Sequence, residues 1–323
     1  MASAFGPDST AVTRIHGRSG GKLLLVTPSD SLLSEHHVLV PADNRFQRAS
    51  RLGQALWREK NGHPIGLHRG SPLGSRLAMP FAKTTLANYL TDPIRQVVQA
   101  EVIDRLPSSD QMYSEPRIFD DLLSSQPLCF NLFGELQCDL GLASHVVGDL
   151  MTVDDVRVTA IRFEYSPGRG DRAYTGDHSA FDVFVEYESD GHRKFLAIEV
   201  KYVENMAQLP ARLRPRYDEV SRNMGCFRED HLLELRAAPL EQLWRDHLLA
   251  GSLLAHPAGG FSEGTFVVLC PEGNDDVADA VTRYRACLRD YRSFEVWTLE
   301  DFVASVRRRG GQWATAVAER YLS

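Results

Sequence analysis

The chain is 323 residues long, 43% apolar and 24% charged, with a formal charge of -7. Those proportions belong to a globular protein with ample core, and the acidic balance excludes a generally basic coat for nucleic acid. It leaves room for a local basic patch, because charges farther away than a Debye length of roughly 8 Å are largely screened.

No apolar run approaches the length that crosses a bilayer, and the first residues lack the basic start and apolar segment of a secretory signal. A cytoplasmic protein with no membrane partner is therefore expected. Residues 1–21 read as a flexible tail. Within it, Arg18-Ser19-Gly20-Gly21-Lys22 fails as a nucleotide-phosphate loop, since His16 stands where the first glycine belongs and Leu23 follows the lysine. Residues 22–26 and 37–40 are short strand candidates. Residues 44–60 place Phe46, Leu52, Leu56 and Trp57 at helical spacing beside Arg45, Arg48, Arg51 and Arg58, which predicts a basic amphipathic helix. A Gly- and Pro-rich loop follows, adding Arg69 and Arg76, and a second helix is predicted over 84–105. Such a stretch could hold a phosphate backbone. Residues 106–116 have the composition of a link, so 22–115 read as a basic, mainly helical region for substrate binding or scaffolding, and 116–323 as a second unit.

In that second unit the order is regular. Helices are predicted over 117–124 and 130–149, strands over 156–165, 179–187 and 194–202, and helices over 216–227 and 239–254. A strand over 264–270, a helix over 277–291, a strand over 294–299 and terminal helices complete it. This is an α/β order, a three-layer arrangement with a mixed central sheet between helices. Cys129, Cys138, Cys226, Cys270 and Cys287 lack paired spacing, so they read as small buried hydrophobes and indicate neither disulfides nor a zinc site. His36, His37 and His63 read as surface histidines. The H-E-x-x-H and G-x-S-x-G motifs of metalloproteases and α/β-hydrolases are missing.

The most informative segment is the pair of strands around Asp190-Gly191, a dipeptide that favours a two-residue type I′ turn. That turn sets Ser189 opposite His192, Val183 opposite Ile198 and Asp182 opposite Glu199. With a side-chain period of two, Asp182, Glu199 and Lys201 share one face, and Val183, Val185, Ile198 and Val200 take the other. Facing residues have Cβ atoms about 4.5 to 5.5 Å apart, so two bare carboxylates there would repel. A divalent ion with hard oxygen ligands, Mg²⁺ above all, resolves that repulsion. Charged residues on the wet face of an ordinary sheet are the alternative.

These residues resemble the PD-(D/E)XK nuclease superfamily, which has a restriction-endonuclease-like fold. Asp182 matches the first acid of its motif, and Glu199-Val200-Lys201 matches the (D/E)-x-K tripeptide; Phe181 stands where the motif's dispensable proline would be. The strings SSQPLCFNLFG, FEYSPGR, HSAFDVF, IEVKYVE, QLWRDHLL and RLGQALWREKNGHPIG resemble a little-characterised branch of it, so the resemblance covers most of the chain from about Arg45 onward. It implies that Asp182, Glu199 and the Val200 carbonyl hold Mg²⁺, with Mn²⁺ able to substitute, and that Lys201 directs the attacking water. Additional candidates are Glu135 and Glu164 as extra acids, Gln242 and Arg245 on one face of the 239–254 helix, Arg169 as a backbone clamp, and Glu204 at the rim.

The implied activity is hydrolysis of DNA by a restriction-like endonuclease. Many members of the superfamily act as dimers to cut two strands, so a homodimer is an expectation of the resemblance alone. A catalytically silent nucleic-acid-binding or assembly protein on the same fold, and a nuclease for RNA or branched DNA, are the alternatives.

Overall fold

The computed structural model describes residues 27–105, 113–208 and 211–322. The strand candidate at 22–26, the tail and the phosphate-loop-like run lie outside those residues. The chain opens on helix α1 (Asp30–Glu35), whose N-cap Ser29 accepts from the Leu32 N–H, and on α2 (Arg45–Lys60), closed by a capping box between Asn44 and Gln47. Residues 37–40 are not a strand. Val38 is buried instead in a small cluster with Leu33, Leu52 and Ala55, so its apolar side chain is satisfied without a sheet.

The segment read as a Gly- and Pro-rich loop is a hairpin of β1 (Ile65–His68) and β2 (Ser71–Leu77), turning at Arg69 and Gly70 with φ of 51° and 84°. Gly74 is required there, because a Cβ would sit 2.1 Å from the His36 carbonyl oxygen. The single helix expected over 84–105 is also corrected. Helix α3 (Met79–Thr85) stops at Leu86, which is left-handed at φ 53°, and Thr91 caps a new helix α4 (Asp92–Val98) that carries Pro93 in its first turn and runs into a π-turn, Gln99–Ile103.

One turn, α5 (Arg117–Asp120), replaces the helix expected over 117–124. The long helix expected over 130–149 is two, α6 (Ser125–Cys138) and α7 (Leu140–Met151), divided where Asp139 turns its carboxylate onto the Leu142 N–H at 2.8 Å. Strands β3 (Arg157–Tyr165), β4 (Phe181–Ser189) and β5 (His192–Val200) then form an antiparallel meander. Helices α8 (Pro215–Met224) and α9 (Glu241–Ala255) lead to β6 (Glu263–Cys270), α10 (Asp275–Ala286) to β7 (Phe294–Thr298), and α11 (Leu299–Arg308) and α12 (Trp313–Tyr321) complete the described chain.

The main sheet has the order β3-β4-β5-β6-β7, antiparallel through β5 and parallel from β5 to β7. One face packs on α4, α6, α7, α11 and α12 through Phe130, Phe133, Val183, Ile198 and Trp313; the other packs on α8, α9 and α10 through Phe184, Phe195, Trp244 and Tyr284. This is the expected mixed sheet between helical layers. The first of those cores also contains Leu77, Tyr89 and Ile94, so packing is continuous across residue 115. Of the cysteines, Cys138 is exposed, which corrects its reading as buried. Among the described residues no helix is long and apolar enough to cross a membrane.

Candidate active site

Asp190 and Gly191 have φ of 54° and 74°, the two left-handed positions of a type I′ turn, and they set the register Ser189 to His192, Glu188 to Arg193 and Val183 to Ile198. The ladder ends at that last pair. One residue farther out, Asp182 bonds through its side chain: Oδ2 accepts the Val200 N–H at 2.8 Å. Lys201, just past β5, keeps its own backbone anchored by donating to the Leu269 carbonyl at 2.8 Å. Val183, Val185, Ile198 and Val200 are buried in the α6 layer, which turns Asp182, Glu199 and Lys201 toward α9.

Helix α9 contributes Gln242. Lys201 Nζ donates to Glu199 Oε1 at 2.7 Å and to Gln242 Oε1 at 2.9 Å, while Gln242 Nε2 donates to the same Glu199 oxygen at 2.7 Å. The closed triangle fixes three flexible side chains, with Glu199 and Lys201 only 5% and 3% exposed. Burial draws the Lys201 pKa down, but Glu199, Glu204 and Asp182 more than offset it, and the ammonium is held above its ordinary range. Lys201 is therefore a fixed cation rather than a base at neutral pH.

The acids behave oppositely. Burial, then the charges of Glu199 and Glu164, hold Asp182 well above the usual carboxylate range. Burial raises Glu164 to about 7 with help from Glu199, against a 2.8 Å hydrogen bond from Gln126 Nε2 at the start of α6. Glu164 also has φ 47°, a left-handed conformation that costs energy for a residue with a Cβ and that collects at functional sites. On α9, Asp246 is buried with Oδ2 lacking a hydrogen-bond partner, and burial followed by Glu199 raises its pKa well above the ordinary value.

These groups line a cleft of about 620 Å³ whose rim carries Arg117, Arg212, Arg214 and Arg245. The donor chemistry fits a hard divalent ion. Asp182 Oδ1 and Glu199 Oε2 accept no hydrogen bond among the described residues, and the charges of Glu199 and Glu164 add to burial in raising Asp182.

Of the other residues singled out in the sequence, Glu164, Gln242, Arg245 and Glu204 line the same cleft. Glu135 does not: it accepts from Thr91 Oγ1 at 2.6 Å and lies nine residues along α6 from Gln126, roughly 14 Å away at 1.5 Å per residue. Arg169 reaches the His178 carbonyl at 3.5 Å from the loop between β3 and β4. Arg45 and Arg69 are exposed. The remaining arginines of α2 and of the hairpin after it are engaged within the fold. Arg48 pairs with Asp30, Arg51 with Asp43 at 2.6 and 3.1 Å, Arg58 with the Gly74 carbonyl at 2.9 Å, and Arg76 with Asp120 and Asp121 at 2.8 and 2.9 Å. Their partners stand 8 to 45 positions away in the sequence, which a linear count of charge cannot see. Arg117, Arg212 and Arg214, which also rim the cleft, were missed, although RLRPR at 212–216 is a visible basic run.

A family model described as the PD-(D/E)XK nuclease superfamily matches residues 41–323. The chain belongs to that superfamily. No curated protein and no solved structure matches it. Membership agrees with the mixed five-stranded sheet flanked by helices, and nucleases of the superfamily generally use divalent metal ions.

Proposed function

We propose that this PD-(D/E)XK protein is a Mg²⁺-dependent endonuclease that hydrolyses DNA phosphodiester bonds in a restriction-like manner. The observation that carries the reading is the convergence of Asp182, Glu199 and Lys201 on one face of the hairpin, at a cleft rimmed by arginine. Asp182, Glu199 and the Val200 carbonyl would hold the ion. When bound, it supplies positive charge to the phosphoryl oxygens and acidifies water. Lys201 sets an immobile ammonium beside the reacting phosphate, where charge builds in the transition state. Gln242 keeps that ammonium from rotating away, and Glu164, pushed toward neutrality, can hold or release a proton at the cleft wall. Two-strand cutting would need one copy for each strand, so a homodimer on DNA is part of the proposal.

The direct test is incubation of purified protein with supercoiled plasmid, and in parallel with RNA, in Mg²⁺ or Mn²⁺. Metal-dependent nicking or linearisation of DNA is expected, stopped by EDTA and reduced by at least about a hundredfold in Lys201→Ala. Cleavage that survives both controls would come from a contaminant and end the proposal; cleavage of RNA alone would replace its substrate.

The substrate grip is separable. Replacing Arg212 and Arg214 with Gln should weaken DNA binding and flatten the plot of log affinity against log salt by about 0.9 for each phosphate that a replaced guanidinium neutralised. Arg51→Gln should leave that slope unchanged and lower the melting temperature instead, because its guanidinium is spent on Asp43 and Ser75. Equal slopes in the double variant and the parent would remove these arginines from the interface.

A further inference from the structure

The segment between α8 and α9 begins with two short 3₁₀ turns, Glu229–His231 and Glu234–Arg236, with Leu233 79% exposed. It has little core of its own. Its start is stapled to the chain leaving α10: the Arg228 N–H donates to the Cys287 carbonyl at 2.9 Å and the Arg289 N–H to the Cys226 carbonyl at 2.7 Å. There, ligand atoms of His231, Glu234 and Cys287 lie within 4.8 Å of one another, the one such trio of His, Cys or carboxylate groups among the described residues.

We propose that His231, Glu234 and Cys287 form a transition-metal site, for Zn²⁺ rather than Mg²⁺, that clamps this segment onto the end of α10. His231 Nδ1 is buried, makes no aligned hydrogen bond and is paired with Glu234 Oε1 at 3.1 Å, a separation that neighbouring ligands on one small ion also have. On the ring's other side Nε2 faces the Asp230 carboxylate, 3.9 Å from Oδ2. Cys287 is fully buried, and its thiol donates to nothing better than the Arg283 carbonyl at 3.4 Å. A nitrogen, a thiolate and a carboxylate suit zinc, with the fourth tetrahedral position left to water.

Binding exchanges the thiol proton for a metal–sulfur bond, with no change of oxidation state. Because the ligand is the thiolate, uptake should release a proton and weaken as pH falls. The site is remote from catalysis. Asn274, just before α10, donates to the Tyr202 and Glu204 carbonyls beside Lys201, and the twelve residues of α10 carry the chain roughly 18 Å from there before Cys287.

The test is Co²⁺ and Zn²⁺ titration of the metal-free full chain. The parent and Asp182→Asn should both show thiolate-to-cobalt charge-transfer absorption and a melting midpoint raised by about 4 °C in a hundredfold excess of Zn²⁺ over Kd. On the Asp182→Asn background, where the cleft adds no metal shift of its own, Cys287→Ser should lose the absorption and the shift. His231→Ala on that background should lose the shift with an unchanged metal-free midpoint, and Glu234→Gln, exposed and safe for folding, should weaken Co²⁺ binding at least about tenfold. No charge-transfer band in the parent, or a zinc shift that persists in His231→Ala and vanishes in Asp182→Asn, would overturn the site. Neither outcome depends on whether the protein cleaves DNA.

Discussion

Asp182→Asn should abolish metal-dependent cleavage, by about a thousandfold, while making the metal-free protein more stable. The amide keeps the shape of the side chain and can still accept the Val200 N–H, so the hairpin end is preserved. What disappears is a charge that burial and the neighbouring Glu199 and Glu164 oppose. The pH dependence follows with a definite sign. A carboxylate whose folded pKa lies above its unfolded value stabilises the fold most below the unfolded pKa and loses that contribution as pH rises toward the folded one. For Glu164 the window runs from 4.5 up to about 7, and for Asp182 it opens at 3.8. The stability difference between Asp182→Asn and the parent, both metal-free, should therefore widen from acid to neutral pH. Mg²⁺ should shrink it by stabilising the parent alone. Urea unfolding at several pH values with and without Mg²⁺ measures this; a variant less stable than the parent at neutral pH would make Asp182 a structural residue.

Arg320→Ala should cost about 3–5 kcal/mol, the largest loss of stability expected from one side chain here. Its guanidinium is 2% exposed and has no carboxylate among its hydrogen-bond partners. Nε donates to Gln54 Oε1 at 2.9 Å, and Nη1 and Nη2 donate to the Asn88 carbonyl and side-chain oxygen at 2.7 and 2.5 Å. The same group lies 4.0 Å from the Trp57 ring centroid and 4.7 Å from that of Tyr321. Gln54 in turn donates to the Tyr202 hydroxyl, and Asn131 donates to the Tyr321 hydroxyl. This buried knot ties α2, α6, α12 and the residue after Lys201 together, so truncation leaves several dry acceptors without donors. At roughly 1.5 °C per kcal/mol for a chain of this length, the melting temperature should drop by about 6 °C. A fall under about 2 °C would mean that water replaces the guanidinium without strain.

The hairpin illustrates what could be read along the chain. Asp190-Gly191 dictates a type I′ turn because the dipeptide tolerates left-handed φ, and the turn dictates every pairing down to Val183 and Ile198. Alternation then separates the apolar side from the one that carries Asp182, Glu199 and Lys201. The order of helices and strands after Arg117 was equally legible from local periodicity, and with it the α/β class. Helix ends were less so, because Asp139 and Thr91 act as caps inside apolar stretches that look continuous.

The basic segment near the start shows the opposite case. Arg48, Arg51, Arg58 and Arg76 looked free because Asp30, Asp43, Gly74, Asp120 and Asp121, which hold them, approach only when the chain folds. For the same reason Gln126, Gln242 and Asp246 are drawn to the acids from α6 and α9, and His231 meets Cys287 across 56 positions of sequence. Local backbone chemistry was enough to specify the hairpin, its turn and the face on which its acids stand, since each depends on neighbours a few residues apart. Which charges are neutralised and which remain available to a ligand depends on long-range packing and burial, and that only the tertiary structure decided.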